Sequence, residues 1–296
     1  MKNTAFILLA MGAAALMASC SKGDEPVSPS LHGDPQTGSG DIAFTAEGEG
    51  FSSSVMTKAA TAVLSLSGFN VNCVTGTAGS AETSVFNVSF SGSPSFTGGK
   101  YWPSTDPKYK FYASNVAMTP SAGGPTVAAV NTTDIVCAAL LSPTYKASNA
   151  LTFSHIFARL GTCKISAPSG YTVSNLSVKV TPNVSGTYNL FSGNGKTDGT
   201  GWSSKTPGSE TVIASAVGST ASNDLYLVPG AYTLTASYTL TMGAYSESFT
   251  KSSTVSLVAG KVNNISATLP AGNAAGIQFT VSVTPWSDNN ITASFN

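Results

Sequence analysis

Residues 232–240 read Tyr232-Thr233-Leu234-Thr235-Ala236-Ser237-Tyr238-Thr239-Leu240. Apolar or aromatic side chains occupy every second position, with Thr or Ser between them. Successive side chains of a strand point to opposite faces, so this period of two specifies a β-strand with one face buried. The same alternation recurs at Phe86, Val88 and Phe90, at Leu176, Val178 and Val180, and at Ile277, Phe279, Val281 and Val283. Turn-forming clusters separate these runs: Ser91-Gly92-Ser93-Pro94, Gly98-Gly99, Gly123-Gly124-Pro125, Gly193-Asn194-Gly195, Pro229-Gly230 and Pro270-Ala271-Gly272. Only 151–160 reads both ways. Phe153, Ile156, Phe157 and Leu160 fit one face of a helix, whereas Leu151, Phe153, His155 and Phe157 fit one face of a strand, and we take the strand. Many short strands joined by such turns specify an all-β chain of antiparallel β-sandwiches. Residues 41–296 are too many for one small sandwich and suit either two domains or one large one; we take two, divided at the break that Pro168 and Gly170 mark, 41–166 and 167–296.

Ahead of these strands, Lys2 is followed by an apolar run over 5–17 and then by Ala18-Ser19-Cys20. The run is too short to span a bilayer, which takes roughly 20 apolar residues, and it has the form of a secretory signal peptide. Met17-Ala18-Ser19-Cys20 resembles the bacterial lipobox, so 1–19 is expected to be removed and Cys20 acylated; the acyl chains would hold the protein on a membrane at about 0.8 kcal/mol per buried methylene. Residues 20–40 are rich in Pro, Gly, Ser and Asp and have almost nothing apolar to bury. They read as a flexible tether with an average span of about 25 Å, which lets the folded part stand clear of the lipid.

Charged residues are only 9% of the 296, and 14 Lys and Arg balance 14 Asp and Glu. No basic stripe is available for nucleic acid, and solubility must come from Ser, Thr, Gly and Asn. The raw material of catalysis is scarce. Of two His, His32 lies in the tether and His155 in an apolar segment, where a hydrogen-bonded core imidazole is the simpler reading. Gly195-Lys196-Thr197 imitates the tail of a phosphate-binding loop, but Leu190 stands where the leading Gly is required, and the stretch reads as a hairpin turn. Asp288-Asn289-Asn290 lacks the alternating oxygen ligands of a calcium loop. Neither an enzymatic role nor a cofactor or metal site is expected. Cys73, Cys137 and Cys163 each sit in an apolar stretch, without zinc spacing, and read as buried small hydrophobes, any two of which could pair. Trp102, Trp202 and Trp286 could form a sugar-stacking platform, although burial is the commoner fate of Trp.

Several segments, in order, are Tyr101-Trp102-Pro103, Phe111-Tyr112-Ala113, Asp134-Ile135-Val136, Leu151-Thr152-Phe153-Ser154-His155 with Ala158 and Leu160, Leu225-Tyr226-Leu227-Val228-Pro229, Gly260-Lys261 with Ile265 and Leu269, and Val283-Thr284-Pro285-Trp286. Together they resemble the fimbrillin and Mfa-like family, the FimA-like type V pilins, of bacterial surface lipoproteins. The resemblance spans most of the chain beyond the tether. It implies two transthyretin-like sandwiches in tandem, a lipid-anchored and surface-exposed location on the outer membrane, and a place in or on fimbriae among other fimbrial subunits. It also implies assembly by strand exchange: a protease cuts after a basic residue in the loop behind the first strand, that strand leaves, and a strand of another subunit fills the groove. Carried onto this chain, the first strand is 41–47 with Ile42, Phe44 and Ala46 facing in. The cut falls between Lys58 and Ala59, since Lys58 is the only basic residue between Lys22 and Lys100, although the family's usual residue is Arg and a solvated loop lysine is the plain alternative. The donor strand is 290–296, with Ile291, Ala293 and Phe295 alternating. A competing role is a glycan-binding surface lipoprotein of a polysaccharide uptake system, using Tyr101 and Trp102 and recognising host or bacterial surface glycans.

Overall fold

The computed structural model describes residues 41–48, 68–92, 96–102, 108–147, 149–272 and 275–286. Every regular element among them is a strand. Seven close into a barrel: β1 (Asp41–Gly48), β2 (Gly68–Thr77), β3 (Ala81–Ser91), β4 (Phe96–Tyr101), β5 (Lys110–Ser114), β7 (Val136–Leu140) and β8 (Asn149–His155), in the order β1-β4-β3-β2-β5-β7-β8. The period-two runs account for its core. Phe90 of β3, Val71 and Cys73 of β2, and Leu151 and Phe153 of β8 are buried together with Phe44, Phe111 and Trp102. The helical alternative for 151–160 fails because β8 stops at His155 and a new strand, β9 (Ala158–Ser166), begins after a change of phase at the buried pair Ile156 and Phe157.

The remaining strands are β10 (Thr172–Val180), β11 (Asn183–Asn189), β12 (Trp202–Pro207), β13 (Thr211–Ala214), β14 (Ser222–Leu227), β15 (Gly230–Met242), β16 (Tyr245–Leu257), β17 (Lys261–Thr268) and β18 (Phe279–Pro285). Sheets β13-β10-β15-β16 and β14-β9-β17-β18 face each other across a second core that includes Leu160, Ile165, Val178, Leu234, Tyr238, Leu240, Phe249 and Ile265. β6 (Thr126–Val130) leaves the barrel strands to pair with β11 in a third sheet, β12-β11-β6. A third cluster, in which Tyr112, Ile135, Phe157, Trp202, Val228 and Trp286 meet, joins the two sets of strands. The strands change partners at 156–157. Pro168 and Gly170 lie instead in a turn between β9 and β10, both of which line the second core.

β15 and β16 form the longest hairpin, in full register from Gly230↔Leu257 to Met242↔Tyr245, and Gly243 supplies the left-handed turn conformation (φ 62°) that a Cβ would strain. Their inward face carries the alternating apolar side chains. On the outward face Thr and Ser stand opposite one another, with Thr235 to Ser252 and Thr239 to Ser248 hydrogen-bonded at 2.9 Å.

Among the described residues all the strand pairs are antiparallel except two: β1 runs parallel to β8, and β9 runs parallel to β17. Each of these parallel partners carries a buried asparagine with the same bonding pattern. Asn149 accepts from the Thr144 amide (2.6 Å) and donates to the carbonyls of Thr144 and Ala147. Asn263 accepts from the Val258 amide (2.9 Å) and donates to the carbonyls of Val258 and Lys261, and at 3.3 Å to that of Arg159. Each amide therefore closes the turn leading into its strand by the same offsets of five and two residues. Truncation orphans several buried backbone groups at once, so Asn149→Ala and Asn263→Ala are each expected to lower the unfolding free energy by about 2–4 kcal/mol, read from urea denaturation.

Cys73, Cys137 and Cys163 are buried free thiols rather than a disulfide pair. Burial disfavours the thiolate and raises all three, Cys137 and Cys163 to about 12. In the native protein at about pH 8 they should therefore resist iodoacetamide, becoming alkylated only in denaturant, as peptide mapping by mass spectrometry would show. The folded values lie above an unfolded value of about 8.5, so this contribution to stability is complete below that pH and fades as the pH rises towards 12.

Candidate assembly site at the first strand

β1 is the barrel's closing element. On one side it pairs antiparallel with β4 through Asp41↔Tyr101, Ala43↔Thr97 and Phe44↔Phe96, with an irregularity after Asp41. On the other it pairs parallel with β8 from Phe44↔Asn149 to Gly48↔Phe153. As the alternation requires, Ile42, Phe44 and Ala46 point into the core and are at most 6% exposed, while Ala43 and Thr45 are half-buried on the opposite face.

Phe44 is the centre of the seat. Its ring meets Phe90 at 5.2 Å and Phe111 edge-on at 4.9 Å. Phe69 extends the cluster to Phe153 at 5.1 Å, and Trp102 meets Phe111 at 5.8 Å and Tyr145 at 5.4 Å. Gly98 of β4 is required here, because a Cβ would lie 2.6 Å from the Phe90 ring and push it off Phe44. Burying one Ile and one Phe, with the smaller Ala46, is worth about 4–7 kcal/mol. Cutting the chain behind β1 would therefore not expel it; another strand with the same apolar rhythm must compete for the groove.

The remaining predicted positions fall in three places. Cys20, Lys58, Ala59, Ile291, Ala293 and Phe295 lie outside the described residues. Trp102, Trp202 and Trp286 are all buried, Trp102 at 2% exposure, so their faces are taken up by the core and form no sugar-stacking platform; Tyr101 is exposed, at 53%. His155 is a core imidazole. Its Nδ1 lies 2.9 Å from Asp134 Oδ1, and its ring stacks on Trp286 at 4.3 Å with an interplanar angle of 3°. Tyr226 stacks on Trp286 at 5.3 Å, and Arg159, paired with Asp224 at 2.7 Å, lies 6.0 Å from the indole. Asp134, His155, Tyr226 and Trp286 come from four of the segments set out above, so those short motifs converge on the junction between the two strand sets. Among the described residues no three His, Cys, Asp or Glu side chains converge as metal ligands.

The sequence profile of the fimbrillin-like family matches residues 45–286, from the middle of β1 to Trp286. The chain belongs to the fimbrillin-like family. Among solved structures, a cell adhesion candidate from Parabacteroides distasonis is 10% identical, aligns 83% of this chain with 97% of its own, and has a TM-score of 0.53, so the likeness concerns the fold. A cell adhesion candidate from Bacteroides ovatus is 17% identical over 83% of this chain and 98% of its own, with a TM-score of 0.43. A fimbrial assembly protein from Parabacteroides distasonis is 9% identical over 82% and 98%, with a TM-score of 0.35. A search of curated proteins yields no match.

For this fimbrillin-like chain the aromatic seat makes a direct prediction. Phe44→Ala should lower the unfolding free energy by about 3–5 kcal/mol and speed hydrogen exchange in β4 and β8. Thr45→Ala, one residue along on the opposite face, should change stability by no more than about 0.5 kcal/mol.

Proposed function

We propose that the chain is a fimbrial subunit or fimbria-associated adhesin of the cell surface, joined to other subunits by exchange of β1. One observation carries this reading: a short strand bridges two others by both an antiparallel and a parallel ladder, and anchors itself by Ile42, Phe44 and Ala46 in a groove lined with aromatic rings. Withdrawn, it leaves a slot whose backbone groups and side-chain sockets can be satisfied only by an equivalent strand, which is recognition by strand addition. Membership of the fimbrillin-like family supports the role. In this reading the two strand sets act as tandem sandwich domains, and Cys20 carries the lipid that holds the chain on the outer membrane.

The donor is the segment 290–296. It offers Ile291, Ala293 and Phe295 against the Ile42, Phe44 and Ala46 of β1: one Ile, one Phe and one Ala each, at period two, with the last two exchanged. Its apolar content therefore matches the sockets to be refilled. Release of β1 follows cleavage between Lys58 and Ala59, which converts a tethered strand into a separate peptide that a competing strand can displace. The glycan-uptake alternative is weaker, because Trp102, one of the two aromatic residues it would use, is buried.

Limited digestion with a lysine-specific protease, followed by mass spectrometry and size analysis, tests the reading. Cleavage after Lys58 and growth of polymers are expected; Lys58→Gln should stop both, and deletion of 290–296 should allow cleavage but stop growth. Polymers that grow unchanged after that deletion would eliminate the donor, and a chain that stays monomeric after complete cleavage would eliminate exchange.

A further inference from the structure

A strand at the end of a sheet presents every second amide and carbonyl to whatever lies beside it, so proteins keep such strands short or interrupt them. Among the described residues six strands end a sheet: β6, β12, β13, β14, β16 and β18. Five of them follow this rule. β6 has five residues; β12, β13 and β14 have four to six, with a register irregularity against their neighbours; β18 stops after seven, at Pro285. β16 breaks it, with thirteen residues, Tyr245–Leu257, that include no proline and pair with β15 in unbroken register. At about 3.4 Å per residue, its outer edge is about 44 Å long.

The side chains of β16 select what can lie along that edge. Its outward face carries the exposed hydroxyls of Ser246, Ser248, Thr250, Ser252, Thr254 and Ser256, and so offers no apolar stripe on which an arbitrary chain could collapse. Glu247 and Lys251 are its only charged residues, and they flank the buried Phe249 on the inward face. Side chains directly opposite one another across an antiparallel pair share a face, so a second β16 can continue the sheet only by setting inward residues against inward ones. In a two-fold pairing centred on Phe249, each Glu247 falls opposite a Lys251, Ser248 opposite Thr250, and Ser246 opposite Ser252. Centring on Glu247 would set Glu against Glu, and centring on Lys251 would set Lys against Lys; of the two-fold registers, that at Phe249 alone unites the opposite charges. Its hydroxyl pairs repeat those between β15 and β16, where Ser237 meets Thr250 at 3.2 Å and Thr239 meets Ser248 at 2.9 Å. Glu247 already accepts from the Tyr245 hydroxyl. A carboxylate accepts about four hydrogen bonds, however, and an ammonium donates about three, so each side chain can serve its own chain and a neighbour together.

We propose that the free edge of β16 docks a second copy of this chain, the two β16 strands running antiparallel about Phe249 and joining two four-stranded sheets into one of eight strands. Such a seam binds subunits side by side. It involves neither β1 nor residues 290–296, so the uncleaved full-length chain tests it apart from strand exchange. Sedimentation at rising concentration should show a monomer–dimer equilibrium. Lys251→Glu and, separately, Glu247→Lys should each weaken the dimer about tenfold, because either change puts two like-charge pairs in the seam, and the two changes together should restore the affinity to within about threefold. A second readout leaves both charges in place. Under oxidation, a Ser248→Cys chain mixed with a Thr250→Cys chain should form a disulfide between those positions, located by mass spectrometry, whereas Ser248→Cys chains alone should not bridge at 248. A chain that stays monomeric up to about 1 mM, single charge changes without effect, a double change no tighter than the single ones, or bridging at 248 as ready in Ser248→Cys alone would each overturn the proposal.

Discussion

The arrangement of this molecule depends on how its first barrel is closed. A sheet with a free edge exposes unpaired amides and carbonyls, and closure removes that edge. Here the closing strand is β1, which has no hairpin partner: its neighbours in the sheet are the fourth and eighth strands. The aromatic packing of Phe44 against Phe90 and Phe111 therefore stands in for the covalent turn that secures an ordinary hairpin strand. A strand held by side chains rather than by a turn is well retained and yet replaceable, a combination that suits assembly from separate subunits.

The second strand set repeats the device with a different result. β9 lies parallel to β17 as β1 lies parallel to β8, and Asn263 repeats the clamp of Asn149. β9, however, follows directly from β8 and is flanked on its other side by β14, so it is continuous with the barrel at its start and with β10 at its end. Only the first of the two parallel-seated strands can be parted from the body by one cut. The third cluster, with Trp286 against His155 and Trp202 against Phe157, then holds the two sets together whether or not β1 is in place.

Much of this was legible in the residues because it is local. Period-two alternation identifies β3, β10, β15 and β18, and the inward trio of β1 is visible at Ile42, Phe44 and Ala46. Alternation reports burial but not partner. Nothing in Thr126-Val127-Ala128-Ala129-Val130 announces that this strand pairs with β11 beyond the barrel, and nothing in 41–48 announces a parallel neighbour about a hundred residues away. The asparagine clamps were missed because Asn in a sequence signals a turn, and the role of Asn149 and Asn263 is to close the preceding turn from within a strand. The turn at Gly195-Lys196-Thr197 was readable; its tie to the turn between β16 and β17 was not, since the Ala259 amide that donates to the Thr197 carbonyl lies far along the sequence.

The parallel seat of β1 also sets an order of events at birth. Its ladder to β8 cannot form until β8 has emerged, and a closure spanning that much chain comes late, after the nearby hairpins have formed. For that interval the barrel is a half-built cradle with its amides uncovered, and any neighbouring chain of similar rhythm could lie down in it. Keeping the strand covalently tethered next to its own slot raises its local concentration far above that of rivals, so each newborn molecule fills its own slot first.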